Sequence, residues 1–485
     1  MGARASDAAD RRDAPLSPTH AFASPYARPR SPWRAAARHA LVPAAVLTLA
    51  AVLAGCGGSN LYQIHFMPPP AFLEAGEVPA FAAEAEADAT GDPRILYATV
   101  REPASVEGED RFYSDERAGE LRIGIGRVVL GTESITWDQV RSMALLQKHG
   151  ERYPLQVADV VEFGVLDRTL HPILHKRDTL TPDAGPRRAF TAAVDARLAR
   201  SRDKDVFLYV HGYRVNFENP LLVAAELWHF LGYQGVFIPF AWPSHRERLA
   251  YFGDTESARY SAVFLREFIE YLATETEAER IHIVGYSAGT RLVISALHQV
   301  ALSHELLGAE AARRRLRIGN VLLVGSDVDR GVFGTYLLDG LLGVPEHLTI
   351  YESPKDKALG MAFLSFRNER LGQLDPSDLT SAARDYLLRS DALALVSVES
   401  APGFDHGNGH SYFRDSPWVS TDLLATLRYG FRPAERGLVQ DPETGIWSFP
   451  ADYLTRIEAK IDAVDPERER ASTIGRLAQP IPRAP

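Results

Sequence analysis

Short apolar runs alternate with helix-periodic segments through the middle of this 485-residue chain. Residues 206–210, with the sequence VFLYV, are apolar at every position, which is typical of a strand covered on both faces. Comparable runs follow at residues 235–242, 280–284, 320–325, 347–351 and 393–398. Helical segments separate several of them, such as residues 256–274, whose apolar positions recur at a spacing of three or four. This alternation predicts an α/β fold with a mostly parallel central sheet and helices on both faces.

Composition narrows the class of protein and the kinds of partner. Hydrophobic residues make up 46% and charged residues 24% of the chain, which indicates a folded globular body. Because 53 basic residues face 63 acidic ones, the net charge of −10 gives no bulk attraction to nucleic acid. A single cysteine excludes an internal disulfide, a zinc ribbon and an iron–sulfur site. We expect no nucleic-acid partner, no metal and no cofactor.

Residues 1–55 have the pattern of a lipoprotein-type signal segment. An arginine-rich stretch precedes an apolar run over residues 40–54, which is too short to span a bilayer as a stable helix. The run ends in Leu53-Ala54-Gly55-Cys56, which resembles the lipobox of bacterial lipoproteins. We predict that Cys56 is lipidated and anchors the protein to a membrane of the bacterial cell envelope; a buried cysteine ending a signal anchor is the alternative.

Three further segments follow the signal. Residues 56–93 are rich in proline and alanine and have little periodicity, so we predict a tether. Residues 94–430 are predicted to form the folded domain, which opens with an antiparallel pair of strands at 94–100 and 121–130. Residues 431–485 are predicted to be a C-terminal extension that packs on the domain or trails from it.

The clearest chemical signal is the turn Gly285-Tyr286-Ser287-Ala288-Gly289. It lies between an apolar strand and an apolar-periodic helix, which is the context of a nucleophile elbow. In such an elbow the serine occupies a strained turn, and the flanking glycines avoid collisions with neighbouring backbone. We predict that Ser287 is a nucleophile; an ordinary serine in a glycine-rich turn is the alternative.

A serine hydroxyl needs a general base to act as a nucleophile at neutral pH. His410 lies in a glycine-rich loop beyond the last predicted strand and follows Ser287 in the chain. Enzymes with a nucleophile elbow place their base in such a position. His406, four residues earlier, is the rival. We favour His410.

The base in turn needs a carboxylate that orients its imidazole. Asp356 follows the strand that ends near residue 351, and it is the favoured acid. Asp327 and Asp329 follow the preceding strand and are the alternative acids. In the loop that does not supply the catalytic acid, we expect the aspartate to stabilise a turn or cap a helix.

An acyl-transfer site also needs donors for the developing oxyanion. The turn His211-Gly212-Tyr213 follows the predicted strand at 206–210, where the second donor of this fold arises. We predict that the backbone N–H groups of Tyr213 and Ala288 form the oxyanion hole. His211 precedes Ser287 in the chain and is expected to shape the turn.

Several segments in this order resemble the DUF900 family of α/β-hydrolases over residues 94–430. The segments are KDVFLYVHGYRVNF from residue 204, AWPS from 241, GYSAG from 285, GSDVDRGVF from 325, SPKDKAL from 353 and GHSYF from 409. The resemblance implies Ser287 as nucleophile and His410 as base, and it favours Asp356 as acid. One departure is Arg214, where members of the family usually carry a neutral polar residue.

These observations together favour a membrane-anchored serine hydrolase that cleaves a small-molecule or lipid ester through an acyl-enzyme. An acyltransferase with the same triad, using an alcohol other than water as acceptor, is the second possibility. A non-catalytic lipoprotein that keeps the α/β-hydrolase fold is the third, since a fold alone does not define a function.

Overall fold

The computed structural model describes residues 64–74, 93–105, 110–130, 154–174, 182–247, 250–360 and 369–465, and a mixed sheet of twelve strands runs through them. The strands are β1 (Ile64–His65), β2 (Arg94–Pro103), β3 (Tyr113–Leu130), β4 (Pro154–Val165), β5 (Asp205–Val210), β6 (Val236–Ala241), β7 (Arg280–Tyr286), β8 (Ile318–Val324), β9 (His347–Glu352), β10 (Leu393–Ser397), β11 (Val439–Gln440) and β12 (Trp447–Ser448). All of the described residues belong to one unit of the chain, Ser59–Pro485.

The strand order is β1-β4-β3-β2-β6-β5-β7-β8-β9-β10-β12-β11. Pairing is parallel from β2 through to β12, and it is antiparallel among β1, β4, β3 and β2 and between β12 and β11. The mostly parallel sheet is therefore confirmed, and β2 and β3 are the predicted antiparallel pair. Because parallel strands end at the same edge, the loops after β5, β7, β8, β9 and β10 converge there.

Helices cover both faces of the sheet. They are α1 (Ala71–Glu74), α2 (Ala184–Leu198), α3 (Glu218–Phe230), α4 (Tyr251–Glu275), α5 (Gly289–His304), α6 (Ala309–Leu316), α7 (Arg330–Leu338), α8 (Ser381–Arg389), α9 (Tyr412–Asp415), α10 (Pro417–Tyr429) and α11 (Tyr453–Val464). In β5, Val206, Leu208 and Val210 join the core that contains α2, α4 and α5. Phe207 and Tyr209 join the core that contains α3, α10 and α11. Alternate side chains of one strand thus enter opposite cores, which explains its continuous apolar sequence.

The first turn of α3 contains a proline. Asn219 and Pro220 suggest an N-cap followed by proline at the first helical position, but the helix begins at Glu218. The side chain of Asn216 accepts a hydrogen bond from Asn219 N at 3.1 Å. Since the first turn of a helix has free N–H groups, Pro220 is accommodated there without loss of a hydrogen bond.

Part of the predicted tether is instead a portion of the folded body. Ile64 pairs with Leu155 across β1 and β4, and Met67 and Phe72 are buried. Met67 N also donates to Glu226 Oε1 at 2.8 Å. The segment docks through two strand residues and a few apolar side chains around the prolines at 68–70. Its sequence therefore has no helical or strand periodicity that would predict this packing. The signal segment, Cys56 and the rest of the predicted tether, 56–63 and 75–92, lie outside the described residues.

The C-terminal extension is packed on the domain over residues 431–465. Its strands β11 and β12 lengthen the sheet beside β10, and the ring of Tyr453 in α11 lies 5.3 Å from that of Trp418. Arg436 and Asp422, both fully buried, form an ion pair with a nitrogen–oxygen distance of 3.3 Å that joins the extension to α10. Among the described helices, none has both the length and the apolar character needed to cross a bilayer.

Candidate active site

Ser287 lies on a strained turn between β7 and α5. Its φ is 52°, in the left-handed region that residues with a side chain rarely adopt. Ser287 N donates to Val324 O at 2.9 Å, and Thr290 Oγ1 donates to Ser287 O at 2.6 Å. These hydrogen bonds hold the backbone on both sides of the side chain, so the strained conformation is fixed by its surroundings.

Gly289 allows the elbow to pack tightly against the loop after β5. A Cβ atom at this position would lie 2.2 Å from His211 O and 2.6 Å from Val210 O. Both distances are too short for any side chain, so only glycine permits this close approach. The requirement explains the second glycine of the motif and brings residues 211–213 beside Ser287.

His410 connects Ser287 to Asp356. Its Nε2 lies 2.7 Å from Ser287 Oγ, and its Nδ1 lies 2.6 Å from Asp356 Oδ2. The histidine is 7% exposed and the aspartate is fully buried. A carboxylate oxygen accepts at Nδ1, so the proton of a neutral imidazole lies on Nδ1 and Nε2 accepts from the serine hydroxyl.

The carboxylate of Asp356 is fixed by its own loop. Its Oδ1 accepts hydrogen bonds from Ala358 N and Leu359 N, both at 3.0 Å. Its second oxygen therefore remains directed at His410. The geometry allows proton transfer from Ser287 to His410 while the carboxylate stabilises the imidazolium that forms.

The two alternative acids have other partners. Asp327 Oδ2 accepts from Arg291 Nε at 2.8 Å and from the hydroxyl of Tyr251, and Arg370 Nε lies 3.4 Å from Asp327 Oδ1. Asp329 caps α7, where its side chain accepts from Val332 N at 2.9 Å. The structure thus brings only Asp356, of the three candidate aspartates, to His410.

The two other histidines considered from the sequence have different surroundings from His410. His406 is exposed in the loop before His410. His211 is buried, its ring stacks on that of Trp242 at 5.2 Å, and its Nδ1 lies 2.8 Å from Gly212 O. Burial lowers the pKa of His211 to about 3, with a smaller contribution from the charge of Arg101. His211 is therefore neutral and shapes the turn.

The predicted oxyanion donors lie on the two segments that meet beside Ser287. Ala288 precedes the first turn of α5, where backbone N–H groups have no acceptor within the helix. The hydroxyl of Tyr213 donates to Glu247 O at 2.9 Å, and its ring meets that of Tyr251 edge to face. Arg214, the departure from the family pattern, has a φ of 63°, and its Nε donates to Arg246 O at 3.3 Å.

Sequence reasoning missed three residues that contact or support the imidazole. The ring of Tyr286 lies 5.1 Å from that of His410, Gly325 packs beneath the imidazole, and the hydroxyl of Tyr412 bonds to Gly325 N. All three lie within segments that resemble the family. Their roles depend on contacts between distant parts of the chain, which a single sequence does not reveal.

One group of side chains within the described residues could supply ligand atoms to a metal ion. Ligand atoms of Asp115, Glu116 and His245 lie within 4.8 Å of one another. His245 Nδ1 is 2.6 Å from Asp254 Oδ1. Charged groups gathered at a surface occur commonly without a metal, so this arrangement alone assigns no site.

The strand–turn–helix at Ser287 and the convergence of three loops on it define an α/β-hydrolase. A family model described as an α/β-hydrolase of unknown function (DUF900) matches residues 187–428. The chain belongs to this family through that region, as the sequence resemblance predicted. Strands β1 to β4 and the C-terminal extension lie outside the matched residues. No match was found among curated proteins or among solved structures.

Proposed function

We propose that the protein is a serine hydrolase that cleaves carboxylic esters through an acyl-enzyme. The observation that carries the proposal is the hydrogen-bonded series from Ser287 through His410 to Asp356, with contacts of 2.7 and 2.6 Å. A histidine between a hydroxyl and a buried carboxylate is the arrangement that activates a serine.

The reaction is a double displacement. His410 Nε2 takes the hydroxyl proton as Ser287 Oγ attacks the ester carbonyl, and the backbone N–H groups of Tyr213 and Ala288 stabilise the oxyanion. The protonated histidine then gives its proton to the departing alkoxide, which leaves as an alcohol. Water, deprotonated by His410, attacks the acyl-enzyme and releases the carboxylic acid together with free Ser287.

Purified protein tested on p-nitrophenyl esters of increasing acyl length examines this proposal. We expect turnover by the wild type and a loss of roughly 10⁴-fold or more in Ser287→Ala. An added alcohol acceptor with product analysis separates hydrolysis from acyl transfer. Equal turnover by wild type and by folded Ser287→Ala protein would contradict the proposed nucleophile.

We further propose that lipid on Cys56 anchors the enzyme to a membrane of the bacterial cell envelope. The support is the sequence Leu53-Ala54-Gly55-Cys56 at the end of an apolar run. Metabolic labelling with an alkyne fatty acid should mark the wild type and Ser287→Ala but not Cys56→Ala, and Cys56→Ala should leave the membrane fraction. Equal labelling of Cys56→Ala would refute the assignment.

A further inference from the structure

Tyr412 lies two residues after His410 and is fully buried at the start of α9. Its hydroxyl accepts a hydrogen bond from Gly325 N at 2.6 Å and donates one to Tyr351 O at 3.0 Å. The directions are fixed by chemistry, because a backbone N–H can only donate and a carbonyl oxygen can only accept. Both hydrogen-bonding functions of the hydroxyl are therefore used.

Each partner of Tyr412 belongs to a segment that packs against or leads to a proposed catalytic group. Gly325 follows β8 and packs against His410: a Cβ atom at Gly325 would lie 2.9 Å from His410 Cε1 and 3.1 Å from its Nδ1. Tyr351 lies in β9, five residues before Asp356 in the loop that follows this strand. One hydroxyl thus joins the segments that carry the imidazole, its packing surface and its carboxylate.

We propose that Tyr412 is a positioning residue that fixes the imidazole of His410 between Ser287 and Asp356. The inference rests on the proposed function. The hydroxyl of Tyr412 is hydrogen-bonded to Gly325 N and Tyr351 O, and it acts by setting the spacing between the three loops.

The hydroxyl is suited to this role because it remains protonated. Burial raises the pKa of Tyr412 well above its ordinary value, with a smaller effect from the charge of Asp356. The raised pKa favours the protonated hydroxyl, which donates to Tyr351 O and accepts from Gly325 N.

The chain offers a matched control in Tyr453. This tyrosine of α11 is also fully buried, but its hydroxyl has no hydrogen-bond partner among the described residues. Tyr412→Phe and Tyr453→Phe make the same chemical change in the same core. Only the first change removes contacts to the loops around His410.

The test compares steady-state kinetics of wild type, Tyr412→Phe, Tyr453→Phe and Ser287→Ala on one p-nitrophenyl ester. We expect Tyr412→Phe to lower kcat by about 10- to 100-fold with KM nearly unchanged, since small misplacement of a catalytic group has effects of this size. Tyr453→Phe should keep the wild-type kcat. If Tyr412→Phe keeps the wild-type kcat, the inference is overturned. If wild type and Ser287→Ala have equal activity, the proposed function itself fails, and this result is distinct from the first.

A second readout does not depend on turnover. The far-downfield proton resonance of the His410 Nδ1–H, which reports its hydrogen bond to Asp356, should shift or broaden in Tyr412→Phe and remain unchanged in Tyr453→Phe. An unchanged resonance in folded Tyr412→Phe contradicts the positioning role.

Rescue separates positioning from a general loss of packing. Replacing Tyr412 by 4-aminophenylalanine keeps the ring and a donor directed at Tyr351 O. We expect kcat between those of Tyr412→Phe and wild type. This replacement also provides the test if Tyr412→Phe does not fold. A folded 4-aminophenylalanine variant whose His410 resonance is shifted or broadened, and whose kcat is no better than that of Asp356→Asn, overturns the inference.

Discussion

Gly325 lies directly beneath the imidazole of His410, with a φ of 55°. A Cβ atom there would lie 2.9 Å from His410 Cε1, closer than side chains pack in proteins. Glycine at this position therefore serves two purposes: it adopts the left-handed backbone without strain, and it leaves room for the ring.

Gly325→Ala should displace the imidazole and lower kcat by roughly 10²-fold with little change in KM. The matched control is Gly430→Ala, because Gly430 has a φ of 65° and no atom within 4 Å of an added Cβ. The control should lose about 1 kcal/mol of unfolding free energy from backbone strain and keep its kcat. Equal kcat values in Gly325→Ala and wild type would show that the ring does not depend on this contact.

The acid is tested by three aspartate-to-asparagine changes. Asp356→Asn should reduce kcat by roughly 10³- to 10⁴-fold, because the imidazole loses the carboxylate that orients it and stabilises its charged form. Asp329→Asn should cost at most about 1 kcal/mol, since asparagine also caps helices. Asp327→Asn should lower stability, as it weakens the contacts to Arg291 and Arg370, with kinetics near those of the wild type.

Chemical denaturation and steady-state kinetics on the same three variants separate the two kinds of effect. A large kcat loss in folded Asp329→Asn, with normal turnover in Asp356→Asn, would move the acid to the earlier loop.

Residues 64–74 dock against Glu226, and substitution of this glutamate should lower the stability of the fold. Glu226 is fully buried, bonds to Arg414 Nε at 3.0 Å and accepts from Met67 N. Glu226→Gln should lower the unfolding free energy by about 2–3 kcal/mol, because the partly exposed guanidinium loses its counter-charge. Glu310→Gln, which breaks the exposed pair with Arg314, should cost no more than about 0.5 kcal/mol. Urea titration of both variants checks the contrast, and equal losses would contradict it.

The buried Glu352 predicts a dependence of stability on pH. Burial raises the pKa of this carboxyl to about 8, and the charges of Glu399 and Asp375 add to the rise, while a hydrogen bond with Ser397 opposes it. The folded state holds a proton that the unfolded state releases above its ordinary pKa near 4.5. The stabilisation from this proton is complete below pH 4.5 and is lost as pH rises to about 8.

Glu352→Gln removes this titration. The unfolding free energy of wild type minus that of Glu352→Gln should fall between pH 5 and 8, by at most about 1.4 kcal/mol per pH unit. Denaturant titrations at several pH values measure the difference. A difference that stays constant across this range would show that the carboxyl is ionised in the folded protein.

The central strands and the elbow are predictable because their signals are local. Residues 206–210 and Gly285 to Gly289 contain within a few positions the apolar run or the glycine spacing that their structure requires. The family segments order the site residues along the chain, and the position of His410 after the last predicted strand follows from that order.

The remaining features depend on distant partners. β1 consists of two residues whose pairing with β4 is set by neighbours about 90 positions away, and its proline-rich continuation has no periodicity. The choice of Asp356 over Asp327 depends on which carboxylate is taken by arginines elsewhere in the chain. The role of the Tyr412 hydroxyl likewise depends on its hydrogen bonds to Gly325 and Tyr351, which lie far from it in the chain.

The most direct test of Ser287 as an activated nucleophile is covalent labelling by a fluorophosphonate, followed by intact-mass and peptide analysis. We expect one phosphonyl adduct, located on Ser287, with no adduct on Ser287→Ala and strongly slowed labelling of Asp356→Asn. Folded wild-type protein that forms no adduct, or an adduct on another residue that persists in Ser287→Ala, would contradict the assignment of Ser287 as an activated nucleophile.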